Sequence, residues 1–125
     1  MKRVINTENA PKVVGPYSQA IEKNGMLFVS GQIPINPVSG KVEYATIESQ
    51  TEQVMKNIEA VLKEAGYSFD NVVKCTCLLS DMDNFAAMNT VYAKYFHTNP
   101  PARAAFAVKT LPLNVLVEIE CVAVK

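Results

Sequence analysis

A single histidine, two arginines and no surplus of either charge set the first limits on this chain of 125 residues. Lysine plus arginine equals aspartate plus glutamate at 12 each, which leaves no electrostatic footprint for nucleic acid or an anionic membrane surface. No apolar run approaches the length of a bilayer span, and the opening MKRVIN lacks the apolar core of a secretory signal, so a cytoplasmic protein is expected. Cysteine is scarce as well. Cys75, Cys77 and Cys121 cannot all pair, and strand alternation puts Cys75 and Cys77 on one side, so reduced, buried thiols are expected. A metal site built on Cys75 and Cys77 lacks donors, because His97 is the only imidazole and sits beside a helix end, where a cation suits the helix dipole. No metal or other cofactor is expected. Repeats, charge blocks and low-complexity segments are also absent.

What is present suits one domain over residues 1–125, with 49% apolar and 19% charged residues. Lys2 to Asn6 is β-like, and Ala10-Pro11 and Gly15-Pro16 bar a helix after it. Tyr17 to Lys23 and Met26 to Ile33 read as a hairpin joined by Asn24-Gly25. Ser30 and Gly31 interrupt its second strand, where glycine marks a bulge or a close approach to the backbone. Gln32 to Val42 reads as a loop with a turn at Pro37 to Gly40. Ile47, Thr51, Val54, Met55, Ile58, Val61, Leu62 and Ala65 recur at helical spacing, with Thr46 as N-cap and Gly66 just past the end. A strand over Asn71 to Ser80 and a helix over Asn84 to Phe96 follow, with Asp81 and Asp83 as cap candidates and Pro100-Pro101 as the stop.

The last quarter organises the rest. Ala102 to Lys109 and Val115 to Val124 are extended runs separated by a turn holding Pro112 and Asn114, as expected for adjacent strands of one sheet. Alternation puts Glu118 and Glu120 with Leu116, Val122 and Val124 on one face of the second run. Arg103 stands among alanines in a chain with one other arginine, Arg3, against ten lysines, so it reads as a fork for a carboxylate. The competing reading makes it an internal ion pair with Glu118 or Glu120. The element order gives an α+β domain, a mixed sheet with two helices on one face. Its last two strands are apolar on both sides, so the second sheet face calls for self-association.

The segment PPARAAFAVKTLPLNVLVEIE, together with NAPKVVGPYSQAI and FVSGQIPINPVSGKV upstream, resembles the Rid family of reactive-intermediate (enamine/imine) deaminases over about Ile5 to Val124. The resemblance implies a chorismate-mutase-like α+β fold, assembled as a homotrimer with its sheets inside and its sites between subunits. It implies a cytoplasmic 2-iminobutanoate/2-iminopropanoate deaminase acting in metabolite damage control, on 2-imino acids formed when serine and threonine dehydratases release unstable enamines. Arg103 would grip the substrate carboxylate and Glu118 would orient or deprotonate water, as base, acid or both. Tyr17 would close the pocket with a hydroxyl, Ser30 and Gly31 would line it with backbone groups, Asn89 would add an amide and Pro112 would shape the adjacent turn. Glu120, about 6.6–6.8 Å along the strand, is too far to share one small substrate atom and is given a structural or interface role. Some family members carry cysteine where this chain has Ala105, so the chemistry here must run on oxygen groups and water.

Two readings from other classes stand beside the enzyme. A ribonuclease-like relative is disfavoured by the neutral charge and the lack of a basic, aromatic surface. A non-catalytic module that binds carboxylate metabolites would need mainly Arg103, whereas catalysis needs Glu118 as well.

Overall fold

The turn at Asn24-Gly25, with both residues in the left-handed region (φ 54° and 74°), folds β2 (Ala20–Lys23) back on β3 (Met26–Gln32) in the computed structural model, which describes Met1–Lys125. Before them comes β1 (Arg3–Ile5), and after them a separate two-stranded ribbon, β4 (Ile35–Asn36) and β5 (Lys41–Val42). The turn expected at Pro37 to Gly40 closes this ribbon, with Gly40 at φ 71°, but the two strands it joins are an addition to the expected loop. Helix α1 (Ile47–Ala65) starts where the Thr46 hydroxyl accepts the Ser49 N–H at 3.1 Å and ends at Gly66, φ 83°. β6 (Val72–Leu79), α2 (Phe85–Tyr92), β7 (Ala102–Ala107) and β8 (Val117–Val124) complete the order. The second helix is shorter than its apolar pattern predicts, because its last turn tightens to 3₁₀ over Ala93–Tyr95.

The main sheet is mixed and six-stranded, in the order β1-β2-β3-β8-β6-β7. Its neighbours are antiparallel except β6 and β7, which run parallel. This corrects one expectation: the runs around Arg103 and Glu118 are not adjacent, because β6 lies between them. The physical reason is that β6, α2 and β7 form a helical crossover, the connection parallel strands require. The segment with Pro112 and Asn114 then carries the chain past the end of β6 rather than into a hairpin. Leu113 and Asn114 take positive φ there (56° and 55°).

Both helices cover one face. Leu27, Val29, Cys77, Val117, Ile119 and Ala123 pack against Val54, Met55, Ile58, Val61 and Leu62 of α1 and Met88 and Tyr92 of α2, all buried. Each of the Leu, Val, Ile and Met side chains among them contributes about 1.5–3 kcal/mol by leaving water. The opposite face stays open, with Met26 paired across strands to Val124 and Phe28 to Val122. Met26, Phe28, Phe106 and Val124 remain 37–49% exposed, an apolar patch that a monomer has no partner for. No helix is long and apolar enough to cross a membrane.

Candidate active site

The site grows from an irregularity in β3. Its register against β8 shifts between Val29 and Gln32, so Ser30 and Gly31 form a bulge. The bulge is pinned by Ser30, whose N–H donates to the Gln19 carbonyl at 2.9 Å and whose hydroxyl donates to the Ser18 carbonyl at 2.6 Å. Over the gap it leaves, β8 swings the Glu118 carboxylate into the space a side chain at residue 31 would fill. A Cβ on Gly31 would stand 2.2 Å from Glu118 Oε2. Gly31 is there because the carboxylate needs that volume. Gly31→Ala is therefore expected to push Glu118 out of place and lower turnover about as much as a misplaced catalytic group does, roughly 10²-fold, with the sheet intact by circular dichroism.

Glu118 lines a cavity of about 820 Å³ together with Tyr17, Ser30, Gly31 and Pro112. It has no salt-bridge or hydrogen-bond partner within the chain and is half-buried; burial first, then the nearby Glu120 charge, pushes its carboxyl up from the ordinary range. Glu120 lines the same cavity, so its strand position does not remove it from the site. Ser30 has its N–H engaged and its carbonyl accepts the Gln32 side-chain amide at 3.2 Å, so what it offers the cavity is the hydroxyl oxygen.

Arg103 and Asn89 lie elsewhere. Arg103 is opposite the buried Cys75 on β7, which places it on the helix side of the sheet, whereas Glu118 is on the open side. Phe85, Asn89 and Tyr92 recur at helical spacing on one face of α2 and together hold the guanidinium. Arg103 Nη1 donates to Asn89 Oδ1 at 2.6 Å, and its carbon lies 5.2 Å from the Phe85 ring centre and 4.9 Å from that of Tyr92. This groove, about 470 Å³, also takes in Phe96, Pro100 and Pro101, and it shares no residue with the Glu118 cavity. The ion-pair reading of Arg103 therefore fails: within the chain the ion pair is Arg3 with Glu22, at 2.8 Å.

Several cavity residues escaped the sequence reading. Lys12 is among them, since a lone lysine in a loop looks like any other surface charge, and so are Ile33, Ile35 and Leu113. Leu113 carried one usable signal, its place in a turn between two strands. No cysteine lines the Glu118 cavity. All three cysteines are free and buried, and burial raises each one, Cys77 to about 12. Native protein is expected to leave all three unlabelled by a thiol reagent that modifies three in denaturant, and folded variants with alanine at these positions to keep full turnover.

Residues 7–125 match the sequence profile of the endoribonuclease L-PSP family. A RutC family protein of Pyrococcus horikoshii is 54% identical over all of this chain and 99% of its own. A mouse protein named 2-iminobutanoate/2-iminopropanoate deaminase is 42% identical over 100% of this chain and 93% of its own. The crystal structure of a Rid family protein of unknown function from Yersinia pestis superposes with a TM-score of 0.97 at 50% identity, covering 100% of both chains.

Proposed function

The chain belongs to the endoribonuclease L-PSP family, the Rid proteins its sequence resembles, and on that premise we propose that it hydrolyses short 2-imino acids to 2-oxo acids and ammonia. The observation that carries this reading is the divided site. A carboxylate without a partner stands in a cavity on the open sheet face, and a guanidinium held by Phe85, Tyr92 and Asn89 stands on the other side, at the sheet edge. The two complete one another when the edge of one copy meets the open face of the next. A closed homotrimer satisfies that requirement and covers Met26, Phe28, Phe106 and Val124.

In such a site Arg103 grips the substrate carboxylate through two parallel hydrogen bonds. Glu118 takes a proton from water as the oxygen attacks C2 of the imine, and the C=N bond becomes a C–N single bond in a carbinolamine. With the substrate entering in its iminium form, Glu118 then returns the proton to nitrogen, and as the C–N bond breaks and ammonia leaves it takes the proton of the carbinolamine hydroxyl, whose oxygen becomes the carbonyl. Burial tightens the hold of Glu118 on a proton, which strengthens it as the base of the first half of this cycle and keeps it protonated, ready to act as the acid, for the second. Tyr17 closes the rim and Pro112 fixes the loop beside it.

The direct test generates 2-iminobutanoate or 2-iminopropanoate enzymatically in the presence of semicarbazide. Added protein is expected to suppress the trapped adduct while the 2-oxo acid forms faster, at any moderate salt concentration. Adduct formation unaffected by the protein contradicts the reading. Sedimentation at micromolar concentration is expected to show an assembly, and a lone 13.7 kDa species would contradict the shared site.

A further inference from the structure

The wall of the Glu118 cavity formed by Ile33 and Ile35 is not part of the main sheet. β4 pairs with β5 alone, in a ribbon separate from the six strands, so its backbone needs another anchor. That anchor is a row of side-chain amides on the buried side of α1. Asn57 Nδ2 donates to both the Ile33 carbonyl (3.1 Å) and the Ile35 carbonyl (3.0 Å). Gln53 Nε2 donates to Asn57 Oδ1 at 2.8 Å, which fixes the orientation of the Asn57 amide. One turn earlier, Gln50 Nε2 donates to the Tyr44 carbonyl at 2.9 Å and its Oε1 accepts the Leu116 N–H at 2.8 Å, two residues before Glu118. Asn57, Gln50 and Gln53 are 1%, 5% and 8% exposed, so these groups are removed from water for the sake of the backbone they hold.

A second loop of the same cavity is held in the same way. Gln19, 2% exposed, accepts the Thr7 N–H at 2.7 Å and donates to the carbonyls of Thr7 and Pro11, both at 3.0 Å. Pro11, Ile33 and Ile35 all line the cavity. Where strands do not reach, buried amides do the work of a sheet ladder.

We propose that Asn57, supported by Gln53, is a positioning residue for the reaction: through the carbonyls of Ile33 and Ile35 it sets the wall that faces Glu118. The proposal rests on the imine-hydrolase reading for its kinetic consequence and on hydrogen bonding alone for its structural one. Removing Asn57 alone strands the buried Gln53 amide as well as the two carbonyls, whereas replacing both side chains removes the stranded amide and leaves only the carbonyls unpaired.

The test compares Asn57→Leu with the double variant Asn57→Leu, Gln53→Leu. The single variant is expected to lose both stability and turnover. The double variant is expected to regain only the share of the lost Tm that the stranded Gln53 amide costs, and to keep kcat/KM about 10-fold to 10²-fold below wild type, as remote misplacement of a site does. Amide exchange in the ribbon, read at the Gly40 N–H that bonds to the Asn36 carbonyl at 2.8 Å, is expected to quicken at least about tenfold in both. If kcat/KM returns to wild type together with Tm, the amides serve stability only and the proposal is overturned. Unchanged exchange in the ribbon overturns it as well. Should the leucine variants not fold, Asn57→Ser, which keeps one donor, is expected to show the same two changes, and wild-type values in it overturn the proposal. A wild-type protein that fails to turn over imino acids sinks the functional reading instead, and the exchange data then decide the anchoring on their own.

Discussion

Glu118→Gln is expected to lower kcat by about 10²–10⁴-fold, the usual consequence of losing a positioned acid–base group, while substrate affinity changes far less. Glutamine keeps the shape that fits over Gly31 but neither takes nor gives a proton. Thermal stability should move the other way or not at all. Burial and the Glu120 charge disfavour the ionised Glu118, so its folded-state pKa lies above the unfolded one. The folded chain therefore binds this proton more tightly than the unfolded chain, and the associated stability is lost as pH rises through the raised value. Glutamine is not subject to that loss. At neutral pH the variant should melt at or above the wild-type temperature, and the difference should shrink as pH falls. A variant that loses turnover and stability together would indicate a structural role.

Arg103→Lys is expected to cost roughly 2–4 kcal/mol in kcat/KM, about 30-fold to 10³-fold, although the charge is kept. The reason is the slot that holds the residue. Phe85 and Tyr92 offer ring faces to a planar cation, and Asn89 Oδ1 takes one of its N–H groups at 2.6 Å, which leaves the remaining donors without a partner within the chain. An ammonium uses neither the plane nor the fork. Steady-state kinetics on imines with and without a carboxylate separate the effects: the loss should vanish for a substrate that has no carboxylate to grip.

Much of the fold is legible in short patterns. Asn24-Gly25 marks the hairpin, Thr46 and Gly66 bracket α1, and alternation along β8 places Val117, Ile119 and Cys121 inside with Glu118 outside. Gly31 reads as either a bulge or a close approach, and the structure makes it both. Strand order is another matter. A turn such as Pro112 to Asn114 looks the same whether it joins neighbours or passes a third strand, and only the crossover through α2 decides it. For that reason the separation of Arg103 from Glu118 is invisible in sequence, where their runs lie side by side. The amides of Gln50, Gln53 and Asn57 escape for a different reason. Polar residues at helical spacing read as a solvent face, and nothing local says that unpaired backbone carbonyls wait beneath them.

The most direct test of a shared site for imine hydrolysis is complementation between two inactive proteins. Arg103→Lys and Glu118→Gln chains, each measured alone and then unfolded and refolded as an equimolar mixture, are assayed for suppression of the semicarbazide adduct. A site that takes Glu118 from one copy and Arg103 from the next is intact in about one quarter of the positions of a randomly mixed ring. The mixture is therefore expected to recover about one quarter of wild-type turnover, far above either variant alone. A mixture no more active than the average of its two components would contradict the shared site.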